Sequence, residues 1–298
     1  MLTLLAIVVD GLVYSSWLFI VAVGLSLIFG VMKILNVAHG SLYAFGAYAA
    51  ATLIGVYFNA GWAPLGSFAV MLLAAVAVGA ILGLALERGL LRVMYGRDEV
   101  IILLVTYAAF LILEDGILLI WGTNPYFAFQ PYALLGNTSA GRLAFANYDL
   151  ALVGFAVLTG ALLWWVLMRT RQGKLLQAVI HDREMAQALG INVTRVYTAT
   201  FVLGAMLGAL GCAVTAPQIS VTPGIGVEVI VVAFAVVVIG GMGSIPGAAI
   251  GALIVGLIRA ATVHLFPQVE LFVIYAVMSL VLAFRPAGLF GRAAARKI

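Results

Sequence analysis

Nine apolar runs follow one another along the chain, at 5–30, 37–58, 64–86, 100–121, 149–168, 197–217, 229–243, 246–265 and 270–284, with mostly short connections between them. A membrane-crossing helix needs about 20 mainly apolar residues, so this succession dictates a protein folded in lipid. Composition agrees. Hydrophobic residues make up 65% and charged residues 9% of the 298, and the mean hydropathy is +1.21, against roughly 45–50% apolar and about 25% charged in soluble domains. The expected fold is an all-α integral membrane protein, a polytopic bundle of about eight or nine transmembrane helices with discontinuous helices near the centre. Residues 1–298 read as a single membrane-embedded domain. Residues 1–30 lack a basic n-region and an A-x-A site, so the first run is expected to be retained rather than cleaved. The formal charge of +4 calls for no nucleic-acid partner. The single Cys212 lies in an apolar run and reads as a small packing residue.

The seventh and eighth runs form one stretch, "VIVVAFAVVVIGGMGSIPGAAIGALIVGLI", too long for one span at about 1.5 Å per residue. Its "GGMGSIP" centre is therefore a break, and whether both halves cross or one is re-entrant separates nine spans from eight. Basic residues orient the rest, because Lys and Arg in short loops stay cytoplasmic. Lys33, then Arg88, Arg92 and Arg97, then Arg169, Arg171, Lys174, Arg183 and Arg195, then Arg285, Arg292, Arg296 and Lys297 fall in alternate connections, thirteen of the fifteen basic residues. This puts the C-terminus in the cytoplasm and the N-terminus, the 59–63 turn and the 122–148 and 218–228 loops outside. The 122–148 loop, rich in Tyr, Phe, Asn and Pro, is the sizeable external surface and a candidate docking face.

Polar residues inside the runs mark candidate sites, since a loosened or polar segment at membrane depth is tolerated only against protein or an aqueous cavity. In "ILNVAHGSLYAFGAY", Asn36 and His39 are three apart and would share a helix face. Gly40 and Gly46 permit close approach of another helix, and Ser41 can bond back to the preceding turn. The stretch lines a solute path or caps a helix at the membrane interface. In "LILEDGILLIWG", one of Glu114 and Asp115 faces inward, or the helix ends early and both lie at headgroup level. Glu228 reads as path-facing or as an exposed acid in a first helical turn. The break, Gly240, Gly241, Met242, Gly243 and Ser244, offers free N–H groups of the kind that receive substrate carboxylates in transporters, or a close-packing device. The polar turn and the break are expected to face one another across a central path. No residue set reads as a metal site.

The longest cytoplasmic connection, about 169–196, contains "RTRQGKLLQAVIHDREMAQALGINVTRVYT". It reads as one amphipathic helix over roughly 174–189, ended by Gly190. Leu175, Ala178, Val179, Met185, Ala186 and Leu189 would pack on a partner or on headgroups, while His181, Asp182, Arg183 and Glu184 stay polar.

Three stretches in order, "GLSLIFGVMKILNVAHGSLYAFGAY", "VVVIGGMGSIPGAAIGALIVG" and "FRPAGLFGR", resemble the membrane permeases of bacterial high-affinity branched-chain amino acid ABC transporters, of the shorter LivH type, over essentially the whole chain. "EMAQALG" resembles the E-A-A-x-x-x-G loop by which such permeases engage their ATPases, with Glu184, Ala186 and Gly190 matching and Met185 replacing an alanine. Val37 stands where the family usually carries an aromatic residue, and Val232 where it often carries a Lys. The resemblance implies a translocation subunit, not an enzyme, in the bacterial inner membrane. It implies four further partners: a periplasmic solute-binding protein, a second permease of the LivM type, and two cytoplasmic ATPases that bind ATP and Mg. The solute would be a branched-chain or related small amino acid, or urea or a short amide as in other relatives. The residues agree in one respect: no G-x-x-x-x-G-K-[ST] occurs. An ion-coupled secondary transporter is the competing class, and it would need Glu114 or Asp115 to titrate. A channel and an intramembrane hydrolase rank below it.

Overall fold

The computed structural model describes residues 2–140, 143–285 and 287–291. Arg142, Pro286 and the basic residues Arg292, Arg296 and Lys297 lie outside the described residues. Thirteen helices are named in chain order: α1 (Leu2–Met32), α2 (His39–Asn59), α3 (Gly66–Leu86), α4 (Arg92–Met94), α5 (Glu99–Trp121), α6 (Gln130–Leu134), α7 (Asn147–Arg169), α8 (Arg171–His181), α9 (Arg183–Ala188), α10 (Val193–Ala213), α11 (Ile225–Gly240), α12 (Ile245–Leu265) and α13 (Glu270–Phe284). Each of the nine apolar runs forms a helix, and seven helices are long and apolar enough to cross a membrane. α3 continues through a π turn at Glu87–Leu91 into α4. Outside the helices, β1 (Asn137–Ala140) pairs antiparallel with β2 (Leu143–Ala146) in the 122–148 loop. That loop is also tied to the 218–228 loop by a bridge between Tyr126 and Val221.

α1, α2 and α10 form the centre, where helices meet through missing side chains rather than interlocked ones. A Cβ on Gly24 of α1 would lie 2.6 Å from the Gly204 carbonyl of α10, and one on Gly79 of α3 would lie 2.6 Å from the Met206 Cα. Lipid tails are as apolar as leucine, so burying leucine against protein gains little there and close backbone approach takes over as the packing force. Cys212 is buried in this contact.

α12 runs antiparallel to α1, Gly243 lying against Gly30 at one end and Gly256 against Gly11 at the other. Two polar contacts fasten the second end: the His264 imidazole bonded to the Asp10 carboxylate at 2.7 Å, and the ion pair of Arg259 with Glu270 at 2.6 Å, its guanidinium 4.0 Å from the Tyr14 ring centroid. Arg259 thus stands apart from the thirteen sorted basic residues because its charge has a carboxylate and an aromatic face.

The "GGMGS" break separates α11 from α12 by two positive-φ glycines, Gly241 (φ 104) and Gly243 (φ 82). Ser244 caps α12, its Oγ accepting the Gly247 N–H at 3.0 Å. The tail closes over the same end. The Leu289 and Phe290 N–H groups donate to the Ile239 and Gly240 carbonyls, each at 2.9 Å, and so serve the last acceptors of α11.

The expected single helix at 174–189 is two. The chain leaves the helix at Asp182 (φ −154, ψ 108), whose carboxylate then caps α9 by accepting the Met185 N–H at 2.9 Å. A short acceptor side chain after eleven helical residues offers the backbone a new start, which apolar periodicity alone does not register. Gly190 (φ 80) ends α9 as expected: the Ile191 N–H bonds the Ala186 carbonyl and the Gly190 N–H bonds that of Gln187, a Schellman closure.

Candidate functional site

The polar turn is buried inside the bundle, Asn36, His39 and Ser41 all being closed off from the surface. After α1 ends at Met32, residues 33–38 run back along the bundle, and α2 begins only at His39. His39 is fully buried and its Nε2 donates to the Val21 carbonyl at 3.1 Å. Val21 lies eleven residues from the end of α1, about 16 Å along its axis. The imidazole fills the space of two absent side chains, a Cβ on Gly208 falling 2.8 Å and one on Gly24 3.2 Å from its Cε1. Sequence reading missed both glycines, although each is a glycine inside an apolar helix.

Ser41 does not bond back to its own preceding turn. Its Oγ reaches the Phe110 carbonyl of α5 at 3.2 Å and Glu114 Oε1 at 3.3 Å. Thr106, one helical turn before Phe110, receives the Val37 N–H at 3.4 Å and donates to the Leu35 carbonyl at 3.2 Å, so α5 serves the irregular backbone that α2 leaves open. Asn36 is buried with both amide atoms unpartnered, and it precedes the helix rather than sharing its face with His39.

α5 does not end early. It continues seven residues beyond Glu114 to Trp121, which places Glu114 about 10 Å inside its end. The carboxylate sits at the head of α11: a Cβ on Gly226 would lie 2.6 Å from Glu114 Oε1. A Cβ on Gly40 would in turn collide with the Gly226 carbonyl. The first turns of α2 and α11 therefore meet inside the bundle, Gly40 to Gly226, with Ser41 and Glu114 beside the contact. Neither helix has a side-chain cap of its own. Positive ends of two helix dipoles converge on one carboxylate.

The structure brings Asn36, His39, Gly40, Ser41 and Glu114 into one region. Gly46, six residues on, packs against the Ala209 backbone of α10. It does not bring the break to them: Gly240 packs on Gly247, Gly241 on the tail, Gly243 on Gly30, and Met242 is exposed. The Ser244 carbonyl receives the Ser26 hydroxyl at 3.3 Å. The head of α12 is thus closed by Ser244 itself and by α1, and the helix start that meets the polar turn is that of α11. Asp115 and Glu228 are exposed, and Glu228 lies in the first turn of α11.

The second group of candidates occupies α8, α9 and the Gly190 turn. Ala186 points inward, 2% exposed, into a cluster with Leu176, Val179, Val193 and Tyr197. Met185 and Leu189, four apart, face outward at 57% and 74% exposure, and His181, Arg183, Glu184 and Gly190 are exposed around them. Among the described residues no group of three His, Cys, Asp or Glu side chains is placed to hold a metal ion.

The profile of the family described as "Branched-chain amino acid transport system / permease component" matches residues 7–282. The chain is 31% identical to a high-affinity branched-chain amino acid transport system permease protein, BraD, of Pseudomonas aeruginosa, over 97% of this chain and 96% of that protein. It is 29% identical to the LivH permease protein of Escherichia coli K12 over the same shares. It is 30% identical to a probable branched-chain amino acid transport permease of Methanocaldococcus jannaschii over 83% and 77%. No solved structure matches.

Proposed function

This chain belongs to the family of branched-chain amino acid transport permeases, and from that premise we propose that it is the translocation subunit of an ATP-driven importer of branched-chain or related small amino acids. The observation that carries the reading is the meeting of α2 and α11 inside the bundle. The preceding turns serve part of each start, His39 and Gly40 bonding the Asn36 and Val37 carbonyls and Ile225 and Val227 those of Thr222 and Gly224, and the positive ends that remain suit a polar solute or a carboxylate; Ser41 and Glu114 stand there. The exposed Asp115 and Glu228 are expensive against lipid, so the open side of α5 and α11 faces a second permease subunit of the LivM type, with the solute path between the two chains. The basic ends of the helices lie in the cytoplasm, with the N-terminus outside. A periplasmic binding protein docks on the 122–148 loop. ATP and Mg are held by two partner ATPases, which engage the exposed Met185 and Leu189 of the α9 segment.

Uptake in proteoliposomes tests this. With the second permease, both ATPases and the binding protein present, labelled leucine accumulates only when ATP is supplied on the ATPase side. Accumulation driven by an ion gradient without ATPases would overturn the assignment. The contact has its own test. Leu189→Asp should uncouple ATP hydrolysis from uptake in a folded complex, whereas Ala186→Asp should unfold the segment, at a cost of several kcal/mol for a carboxylate buried without a partner. A Leu189→Asp variant with wild-type uptake removes α9 from the coupling role.

A further inference from the structure

A groove of about 880 Å³ separates the end of α3, with its π turn, from the start of α10 at the basic end of the bundle. Arg88, Arg92 and Arg195 line one part of it, and Val202 and Leu203 line the part further along the helices. The arginines are exposed, and none forms an ion pair among the described residues. Glu87, the acid next to them in sequence, is fully buried and turned away, accepting the Tyr95 hydroxyl at 2.7 Å. Burial and that bond push the Tyr95 phenol well above its ordinary range, so it stays a donor. Around the π turn the one acid is thus turned inward and both arginines outward.

α10 starts in the same place. Asn192 caps it, accepting the Arg195 N–H at 3.0 Å, so the positive end of a 21-residue helix opens where the three guanidinium groups gather. From Arg195 the groove side of α10 continues through Val202 and Leu203, turning from cationic to apolar within about two turns. Charge at the membrane surface followed by an apolar wall matches a molecule with a phosphate at one end and an acyl chain at the other.

We propose that this groove holds an anionic phospholipid of the leaflet at the basic end. Its phosphate sits among Arg88, Arg92 and Arg195 at the head of α10, and an acyl chain lies along Val202 and Leu203. The bound lipid neutralises three unpaired cations and ties the end of α3 to the start of α10.

Native mass spectrometry of the full chain in mild detergent reads the site. The wild-type protein should retain phosphatidylglycerol over phosphatidylcholine by about tenfold or more, and R88Q/R92Q/R195Q should lose that preference. Arg97→Gln combined with Arg169→Gln removes two cations from the same end outside the groove and should leave the preference intact. Equal loss in both variants would mean a diffuse basic surface and would overturn the proposal. Should the triple variant aggregate, wild-type protein offered phosphatidylglycerol and its deacylated glycerophosphodiester decides: the lipid is retained and the headgroup is not. Equal retention of the two would make this a free-phosphate site, and retention of neither would leave no site. A Leu203→Cys crosslink to the second permease in the assembled transporter would make the groove a protein interface and equally defeat the lipid.

Discussion

α2 and α7 have almost the same length, 21 and 23 residues, and opposite places in the molecule. α2 is the less hydropathic of the two, yet 72% of its apolar window is buried, against 11% for α7. In water this order would be reversed. In lipid, the Leu, Val and Trp side chains of α7 are already in an apolar medium, and moving them against protein would gain little. Glycine, alanine and the polar His39 and Ser41 of α2 have something to gain inside: backbone contact in the first case, hydrogen-bond partners in the second.

Glycine substitutions break this contrast most sharply. Gly46→Leu drives a side chain into the Ala209 backbone, and should abolish folded protein by fluorescence-detected gel filtration, a loss above about 4 kcal/mol. Gly154→Leu on α7, where a Cβ meets nothing within 4 Å, should leave stability within about 0.5 kcal/mol. If both variants behave alike, the packing account of the centre is wrong.

His39→Ala ranks next. Removing the ring leaves the Val21 carbonyl without that donor and opens a cavity beside Gly24 and Gly208, a loss of about 2–4 kcal/mol in thermal unfolding. Gly208→Ala alone should also destabilise, because the added methyl meets the ring. In the His39→Ala background the same methyl should be tolerated or restore part of the loss, so additive effects would disprove the contact.

Glu114 gives a smaller, functional difference. Glu114→Gln keeps an acceptor for Ser41 and loses the charge at the head of α11, about 1 kcal/mol, so ATP-driven uptake should fall only a few-fold. Glu114→Ala removes the carboxylate beside the α11 start and should lower uptake by about tenfold in an assembled complex. Abolished accumulation with retained exchange in the Gln variant would instead favour ion coupling. Smallest of all, Trp164→Leu on α7, an exposed position, should change stability by less than about 0.5 kcal/mol.

The runs were legible because hydropathy reports the solvent directly. All nine produced helices, and the break at "GGMGS", the stop at Gly190 and the packing role of Cys212 followed from residue chemistry alone. Depth was not legible. Nothing in "KILNVAHG" states that six residues re-enter the bundle before a helix begins, because that depends on Thr106 of α5 serving the open backbone about seventy residues away. For the same reason the break was matched with the polar turn. Ser244 announces its own cap in sequence, whereas the head of α11 has Glu114 beside it, a neighbour that no local pattern reveals. The inward turn of Ala186 was hidden likewise, since an amphipathic stripe does not say which apolar residue meets its own chain and which meets another.

The tail that closes α11 has a bearing on biosynthesis. Ile239 and Gly240 leave the ribosome about fifty residues before Leu289 and Phe290, so for the whole synthesis of α12 and α13 the end of α11 keeps two carbonyls without their final donors. This end of α11 closes only once Leu289 and Phe290 arrive. A ribosome halted short of Leu289 leaves α1 to α13 made and the seam at Ile239 and Gly240 unsealed.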